Sequence, residues 1–311
     1  MNKLSHPLPI VSIGMPTFNG ARTIAQSICS ILNQTFEQWE LIIIDDGSTD
    51  RTYEIAASFR EPRIIVMQGE NKGLSARLNE CIHMAKGKFF ARMDQDDISY
   101  PRRLQYQVEF LLSHPDVDLV GGSVVVFRDD GVAFGIRRSP LTHEKICAHP
   151  WRGIPMTHPT WMSRTAWLFQ HQYRIDRPRT QDQDLLLRTH QKSRFAAVPQ
   201  IILGYREDSL SLKKILLMRW DACGMMMCIA REESRLAIAA LGIPGLFGKA
   251  LLDTIAIWTG LRYRLLRHRA AAIPEEEENE WRLVWEQVRF LTDKIGGDGK
   301  PRDDAPQDAL R

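Results

Sequence analysis

The stretch WELIIIDDGSTD, residues 39–50, shows most clearly how this chain is built. Leu41–Ile44 is a continuous apolar run dominated by β-branched isoleucine, which is typical of a strand buried on both faces of a parallel sheet. Two carboxylates, Asp45 and Asp46, follow at once, and the next two residues, Gly-Ser, favour a turn. The stretch therefore predicts a buried strand, Trp39–Asp46, that ends in a polar loop.

Strands and helices of the same kind alternate on both sides of this strand. The predicted strands are Ile10–Met15, Trp39–Asp46, Arg63–Met67, Lys88–Met93 and Val117–Phe127, and the predicted helices are Ala21–Leu32, Thr52–Phe59, Leu74–Ala85 and Pro101–Leu112. This alternation indicates βαβ units, and hence an α/β domain with a mostly parallel sheet flanked by helices.

Three polar clusters each follow directly after a predicted strand: residues 16–19 (PTFN), 45–48 (DDGS) and 94–97 (DQDD). Ligands of parallel sheets gather at the carboxyl ends of the strands. The three clusters therefore predict a single site at one edge of the sheet.

The composition is that of an ordinary soluble protein: 311 residues, 44% hydrophobic and 25% charged. Lys plus Arg number 41 and Asp plus Glu 38, and a net charge of +3 gives no reason to expect a nucleic-acid partner. Five scattered cysteines without zinc spacing, and an N-terminus without an apolar stretch, predict a reduced, cytoplasmic compartment.

The third cluster raises the question of what offsets its charge, because three carboxylates lie within four residues. Solvent, a basic neighbour such as Arg102 or Arg103, or a bound metal ion could do so. A D-x-D at a strand end, here Asp94 and Asp96, can hold Mg²⁺ or Mn²⁺ together with a diphosphate. The alternative is an acidic turn, or the cap of the helix that begins near Pro101.

Four stretches in order, VSIGMPTFNG, WELIIIDDGSTDRT, NKGLSARLN and ARMDQDDISYPRRL, resemble the nucleotide-sugar-binding half of glycosyltransferase family 2. The resemblance covers roughly the first two thirds of the chain. It implies the GT-A fold and a metal-dependent, inverting transfer of one sugar from a nucleoside-diphosphate sugar, most familiarly UDP-linked, to a hydroxyl acceptor. It also implies a role in bacterial surface polysaccharide or glycolipid synthesis.

The resemblance implies a nucleotide-binding role for seven positions. The positions that would contact the base, ribose or phosphates are Pro16, Thr17, Phe18, Asp46, Asn71, Arg77 and Asp94. Asp46 would bind uracil N3, and Asp96, helped by Asp94, would hold the divalent metal. For Arg77 the alternative is an exposed charge on a helix.

The same resemblance assigns the catalytic base to Asp182 in RTQDQDLLLRTHQ, residues 179–191, with Gln181 where Glu is commoner. Its in-line displacement would invert the anomeric configuration. The alternative for Asp182 is a helix N-cap. Asp184 and Arg188, spaced i and i+4, predict an ion pair. His158 is a candidate on the acceptor side, with a structural histidine in a packed loop as its alternative.

The predicted domains are 8–208 for catalysis (nucleotide-sugar half 8–127, acceptor and base half 128–208), 209–295 for an all-helical extension, and 296–311 for a disordered tail. Helix is expected over 210–241, with a break at GIPG, 242–245, then over 246–272 and 275–292. No membrane-spanning helix is predicted. The basic segment RYRLLRHR, 262–269, predicts peripheral membrane contact, or else a helix packed on the catalytic domain.

Other classes lack their signatures. No G-x-G-T-R loop of a pyrophosphorylase, D-x-D-x-T of a haloacid dehalogenase-type phosphatase or G-x-G-x-x-G of an oxidoreductase occurs at the required place. The Q-x-x-R-W motif of processive synthases is incomplete, since Leu216 stands where Gln is needed before Arg219-Trp220. The remaining alternative is an inactive nucleotide-sugar-binding or scaffold protein.

Overall fold

The structure, a computed structural model, describes residues 8–177, 179–207, 212–232, 236–259 and 271–296. Its strands are β1 Val11–Thr17, β2 Trp39–Asp45, β3 Ile64–Gln68, β4 Phe89–Arg92, β5 Ile98–Ser99, β6 Leu119–Phe127, β7 Ala133–Arg137, β8 Met162–Arg164 and β9 Phe195–Arg206. Its helices are α1 Ile24–Leu32, α2 Thr52–Ser58, α3 Leu74–Met84, α4 Arg103–Ser113, α5 His143–Ile146, α6 Thr165–Gln170, α7 Gln181–Thr189, α8 Leu212–Glu232, α9 Leu236–Trp258 and α10 Glu275–Gly296. Two short 3-10 turns span Pro150–Arg152 and His158–Thr160.

All nine strands belong to one sheet, in the order β3-β2-β1-β4-β8-β6-β9-β5, with β7 paired to β6. β1, β2, β3 and β4 are mutually parallel, and β6 pairs with β9 in parallel. β8 runs antiparallel to both β4 and β6. The first half of the sheet is therefore the parallel, buried sheet that the apolar strands predict, and the α/β class is confirmed.

Sequence reasoning places the first four helices and the strands β1–β4 correctly, but it misses β5 and finds fewer elements after residue 127. β5 and β8 have only two and three residues, too short for a periodic signal. β9 contains Pro199 and Gln200, which are exposed where its register against β6 shifts. A proline in a strand argues against a strand in sequence, and here it sits at an irregularity.

The sheet separates two hydrophobic cores. The first contains α1, α4 and α10, packed against side chains such as Ile13 and Val124. The second contains α3, α6, α7 and α8, packed against side chains such as Ile42 and Phe90. Adjacent residues of the buried strands thus belong to opposite cores, and both faces of the sheet are covered.

The last helix, α10, returns to the catalytic sheet. Trp281 is 2% exposed, its ring centroid lies 4.6 Å from that of Phe127, and its indole N–H donates to the Gly131 carbonyl at 2.8 Å. Gly204 of β9 makes room for this ring, because a Cβ there would lie 2.3 Å from it. α10 is therefore part of the first core.

The other C-terminal segments differ from the prediction at two places: Ala271, expected in a helix, forms an antiparallel bridge with Ile136, and the second difference is in α9. α9 runs without a break through Pro244, so the expected interruption at residues 242–245 is wrong. A proline inside a helix removes one backbone hydrogen bond, and helix continues on both sides of it here. The predicted basic segment 262–269 and the tail from residue 297 lie outside the described residues. Of the helices described, none is long and apolar enough to cross a membrane.

Candidate active site

The loops after β1 and β2 are joined by hydrogen bonds at the carboxyl end of the sheet. The parallel register places Thr17 opposite Asp45, so the two chains leave the sheet side by side. Asn19, with φ of 49°, accepts the Thr49 N–H at 2.9 Å through its side-chain oxygen, and its own N–H donates to the Ser48 hydroxyl at 2.8 Å. Asn tolerates this left-handed conformation better than most residues.

The two carboxylates after β2 have different surroundings. Asp45 is fully buried and accepts the Ser48 N–H of its own turn at 3.0 Å. Asp46 accepts from the backbone N–H groups of Lys72 and Gly73 at 2.7 and 2.9 Å, and from Arg77 Nε at 2.8 Å. Asp46 is therefore held by the loop before α3, whereas Asp45 stabilises its own turn through the bond with Ser48.

Arg77 is not the exposed charge of the alternative interpretation, since it is only 4% exposed. Its guanidinium binds Asp46, Glu80 and the Glu70 carbonyl. The Asn71 amide donates to the Asp46 carbonyl at 3.0 Å, so Asn71 and Arg77 both hold the Asp46 segment. Their contact with a nucleotide stays a prediction.

The loops after β1 and β4 are joined by Gln95, the second residue of the DQDD cluster. Its side-chain amide accepts the Phe18 N–H at 2.8 Å and donates to the Phe18 carbonyl at 2.9 Å. Gly20 is needed beside it, because a Cβ there would lie 2.4 Å from the Gln95 amide carbon. Pro16 and Thr17 are buried in β1, whereas Phe18 is 46% exposed and Asn19 beside it is exposed as well.

Asp94, Asp96 and Asp97 bring side-chain oxygens within 4.8 Å of one another. The first charge is offset by Arg92 of β4, whose Nη1 and Nη2 approach the two Asp94 oxygens at 2.7 and 2.5 Å. Arg92 is 4% exposed. Because it is bidentate and buried, this pair is of the strong, geometrically specific kind.

The other two carboxylates have weaker compensation. Burial, and then the Asp94 charge, raise the pKa of Asp96 to about 6. Burial, and then the charges of Asp96 and Asp94, raise the pKa of Asp97 well above its ordinary value. Asp97 accepts the Arg206 N–H at 2.9 Å through Oδ1, and its buried Oδ2 has no hydrogen-bond donor among the described residues.

Among the described residues, Asp97 forms no ion pair with Arg102 or Arg103; burial lowers the pKa of Arg103 to about 9, and the Asp97 charge partly opposes this shift. Arg102 lies over the Tyr106 ring at 4.8 Å, and Arg103 donates to the Arg92 carbonyl at 2.7 Å. The partner is Arg206 at the end of β9, which also donates to the Asp96 carbonyl at 2.7 Å. A residue 109 positions away in sequence therefore fixes the acidic turn.

Asp182 lies in the first turn of α7, and Thr180 holds the N-cap position, so the N-cap alternative is wrong. Burial raises the pKa of Asp182, and the Arg92 guanidinium partly offsets this shift. The next residue, Gln183, binds the Ile154 N–H and carbonyl at 2.8 and 3.0 Å. The predicted ion pair between Asp184 and Arg188 is present at 2.8 Å.

His158 has the contacts of a packed loop residue. It is buried, its Nε2 lies 2.9 Å from the Tyr173 hydroxyl, and its ring is 4.5 Å from that of Trp161. Burial, and then the charge of Arg92, lower the pKa of His158 well below its ordinary value. The ring is therefore neutral at pH 7, and a role on the acceptor side stays a prediction.

The acidic turn and Asp182 both act electrostatically on Arg92 and Tyr173. Arg92 binds Asp94 and acts electrostatically on Asp182. Burial raises the pKa of the Tyr173 hydroxyl, Arg92 opposes the shift, and the Asp182 and Asp94 carboxylates add to it. The structure thus brings together two carboxylate groups that are 88 positions apart in sequence (94 to 182).

The acidic turn fits a divalent cation. Hard cations such as Mg²⁺ and Mn²⁺ take oxygen ligands, and three carboxylates supply them here. The Asp97 oxygen without a donor and the raised pKa of Asp96 both show negative charge that the protein alone leaves under-compensated.

Sequence reasoning missed Arg92, Tyr173 and Arg206 as parts of the site. Arg92 carried a signal, since a cation inside the apolar run FFARM needs a buried partner. Arg206 ends a strand that was not predicted, and Tyr173 lies in a loop, so neither could be placed without the fold.

The chain matches the family model "Glycosyl transferase family 2" over residues 12–197, more than half of its length. The protein belongs to this family. Its fold is that of a GT-A glycosyltransferase, which confirms the fold expected from the resemblance.

Curated relatives agree with this placement. The "Putative glycosyltransferase EpsE" of Bacillus subtilis is 41% identical over 215 residues, 66% of this chain and 76% of EpsE. The "UDP-Glc:alpha-D-GlcNAc-diphosphoundecaprenol beta-1,3-glucosyltransferase WfgD" of Escherichia coli is 32% identical over 138 residues, 44% of this chain and 54% of WfgD. The match thus spans about half of WfgD.

Two solved structures share the fold at low sequence identity. Staphylococcus aureus TarS 1–349 in complex with UDP-GlcNAc has a TM-score of 0.59 and 18% identity, covering 91% of this chain and 82% of TarS 1–349. The mannosyltransferase PcManGT from Pyrobaculum calidifontis, in complex with GDP-Man and Mn²⁺, has a TM-score of 0.57 and 15% identity, covering 93% of this chain and 87% of PcManGT.

Proposed function

We propose that this glycosyltransferase moves one sugar from a nucleoside-diphosphate sugar to an acceptor hydroxyl, with inversion at the anomeric carbon. The observation that carries the proposal is that Asp94 binds Arg92 and that both Asp94 and Asp182 act electrostatically on Arg92 and Tyr173. This supports a diphosphate-binding turn and a base that act on one reacting centre.

The nucleotide would lie along the loops after β1 and β2. Asp46 would accept the base N–H, the exposed Phe18 ring would cover the base or ribose, and Pro16 and Thr17 would form the floor. Asn71 and Arg77 would keep Asp46 in place beside the phosphates. A UDP-linked donor is supported by the UDP-GlcNAc bound to TarS and by the donor in the name of WfgD.

Asp94 and Asp96 would hold a divalent cation, Mg²⁺ or Mn²⁺, through their carboxylate oxygens. When bound, the ion neutralises charge on the leaving diphosphate. The Mn²⁺ in the PcManGT complex supports this part of the proposal. Arg92 would keep the Asp94 carboxylate oriented, because its two nitrogens occupy both oxygens from one side.

Asp182 would take the proton of the acceptor hydroxyl while that oxygen attacks the anomeric carbon. The bond from the anomeric carbon to the diphosphate oxygen breaks, and its electron pair leaves with the diphosphate. Burial supports this role, since a carboxylate with a raised pKa is a stronger base than an exposed one. His158 would line the acceptor side as a neutral ring.

The acceptor would be a glycan or a lipid-linked glycan of bacterial surface polysaccharide or glycolipid synthesis. The diphosphoundecaprenol acceptor in the name of WfgD supports this class. We place the protein in the cytoplasm, with peripheral contact to the inner face of the membrane through its C-terminal helices. The incomplete Q-x-x-R-W motif supports transfer of a single sugar.

Asp182→Asn tests the base. We expect transfer, and hydrolysis of the donor by water, to fall by about two to four orders of magnitude. Donor binding should persist, because the change is isosteric and removes no described side-chain ion pair. Asp176→Asn, at a carboxylate with 65% exposure, is the matched control and should keep full activity.

Two results would contradict the proposal. Undiminished turnover in Asp182→Asn would remove the base from this residue. Donor binding by the unaltered protein without turnover, across a panel of nucleotide sugars and acceptors, would assign the chain to a non-catalytic binding or scaffold protein.

A further inference from the structure

A cavity of about 520 Å³ lies between the 3-10 turn Pro150–Arg152 and helix α9. Its lining combines two cations, an indole, two glycines and two leucines: Trp151, Arg152, Leu241, Gly242, Gly245, Leu246 and Lys249. We call it the α9 cavity. It is separate from the acidic turn and shares no residue with it.

Two glycines of α9 shape this cavity. A Cβ on Gly242 would lie 2.8 Å from the Trp151 carbonyl and 2.5 Å from the Met226 sulfur, so glycine is required for the close approach of the turn. A Cβ on Gly245 would meet no heavy atom within 4 Å. Gly245 therefore borders open space that a ligand could fill.

The lining of the cavity carries positive charge on two exposed side chains. Arg152 and Lys249 are both exposed, and neither forms an ion pair with a carboxylate of the described residues. Besides Lys249, the sequence of α9 contains one charged residue, Asp253. Two cations converging on one cavity match the chemistry of a phosphate group.

An exposed apolar surface continues from the cavity along α9. Leu241, which lines the cavity, begins the surface, and its other members are Phe247, Leu251, Leu252, Ile255 and Trp258. Trp258 is 88% exposed and the two leucines are each 63% exposed. At 1.5 Å per residue this α9 face is roughly 25 Å long, and contiguous exposed surfaces of this kind mark interaction sites.

The cavity also connects with the candidate base. The turn that carries Arg152 leads directly to Ile154, which the Gln183 side chain binds through both its N–H and its carbonyl. Gln183 follows Asp182. A ligand in the cavity is therefore held against the segment that positions the base.

We propose that the α9 cavity and the α9 face bind a lipid-linked acceptor at the membrane surface. Its phosphate contacts Arg152 and Lys249, and its lipid chain and the surrounding membrane cover the apolar face. A phosphate next to a long apolar chain is the ligand that combines both features. This inference rests on the proposed function, because it names the class of acceptor that the Asp182 site uses.

Vesicle flotation tests the inference. Phosphatidylcholine vesicles with a polyprenyl phosphate should bind the protein more tightly than vesicles of phosphatidylcholine alone. Arg152→Gln with Lys249→Gln should remove this preference, at about fivefold in affinity per cation. Leu251→Gln with Trp258→Gln should weaken binding to both kinds of vesicle.

Two matched controls separate these effects from a general loss of stability or solubility. Gly245→Met should fill the cavity and reduce the preference, whereas Gly248→Met, one turn away with equally open surroundings, should retain it. Leu283→Gln with Phe290→Gln removes two apolar side chains of similar exposure, 68% and 64%, from α10 and should leave vesicle binding unchanged.

Three outcomes would overturn the inference. They are equal binding to both vesicle types, equal effects of Gly245→Met and Gly248→Met, and a dimer in solution that Leu251→Gln dissociates. The last would assign the α9 face to a second copy of the chain. Donor hydrolysis without vesicles tests the proposed function separately, since it needs no acceptor.

Discussion

Asp46 and Asp96 follow strands β2 and β4 at the same edge of the sheet, and their charges are compensated to different extents. Asp46 accepts two backbone N–H groups and a buried arginine. Asp96 is partly buried beside two further carboxylates, and the charge of Asp94 contributes to its pKa of about 6. The Asp46 charge is compensated by described residues of the protein, whereas the Asp96 charge is under-compensated among them.

The largest effect should come from Asp96→Asn. Loss of the proposed metal ligand should lower transfer by about a thousandfold, corresponding to several kcal/mol of charge stabilisation. In the unaltered protein, Mn²⁺ with a nucleoside diphosphate should raise the melting temperature by mass action, and the variant should lose the metal-dependent part. Asp116→Asn, at a 62% exposed carboxylate, should behave as the unaltered protein. An unchanged metal-dependent shift in Asp96→Asn would refute the assignment.

Arg77→Met should lower the free energy of unfolding through the loss of the contact with Asp46, rather than weaken metal binding. It leaves the buried Asp46 carboxylate without its cation, and breaking such a pair costs about 3–5 kcal/mol of unfolding free energy. Arg51→Met removes an exposed pair with Glu54 and should cost at most about 0.5 kcal/mol. Chemical denaturation of the two variants measures the contrast. Equal losses of unfolding free energy in the two variants would show that burial of the Arg77–Asp46 pair does not stabilise the fold.

Lowering the pH should weaken metal binding. Because the pKa of Asp96 is raised to about 6, a proton competes with the cation from that pH downward. The dissociation constant for Mn²⁺ should rise by about tenfold for each pH unit below 6. Calorimetric titration from about pH 5 to about pH 8, on both sides of the Asp96 pKa of about 6, measures the change. A dissociation constant that does not change with pH would contradict the conclusion that the Asp96 charge is under-compensated.

Asp97→Asn should produce the smallest effect and should stabilise the metal-free protein. The folded pKa of Asp97 is raised, so its stability contribution is present below the unfolded pKa and is lost as pH rises through the folded pKa. The variant avoids this loss. At alkaline pH it should be more stable by about 1–3 kcal/mol, and the difference should shrink in acid. Thermal unfolding across pH checks this, and a variant less stable at every pH would disprove it.

Much of the first half of the chain could be predicted because its signals are local. Ile42–Ile44 must be buried wherever the strand lies, and the parallel arrangement then carries the three polar clusters to one edge. The charge compensation was not predictable in the same way. Arg92 was visible in sequence but its partner was not, and Arg206 reaches Asp97 only because β9 pairs with β6.

The helical half shows the same limit. Gly242, Pro244 and Gly245 favour a break by local propensity, yet α9 continues, because Gly242 packs against Met226 and the Trp151 carbonyl. Tertiary contacts override propensity when a close approach is only possible for glycine. The same contacts create the α9 cavity.

By itself the sequence determined the family, the parallel half of the sheet, and the identity of the carboxylates that follow its strands. These depend on residue type and on periodicity along the chain. The fold determines which carboxylates are compensated, that Asp94 and Asp182 both act electrostatically on Arg92, and that α9 has an apolar face exposed within the described part of the chain. Charge compensation and burial depend on distances across the fold, and such distances are set by packing between segments far apart in sequence.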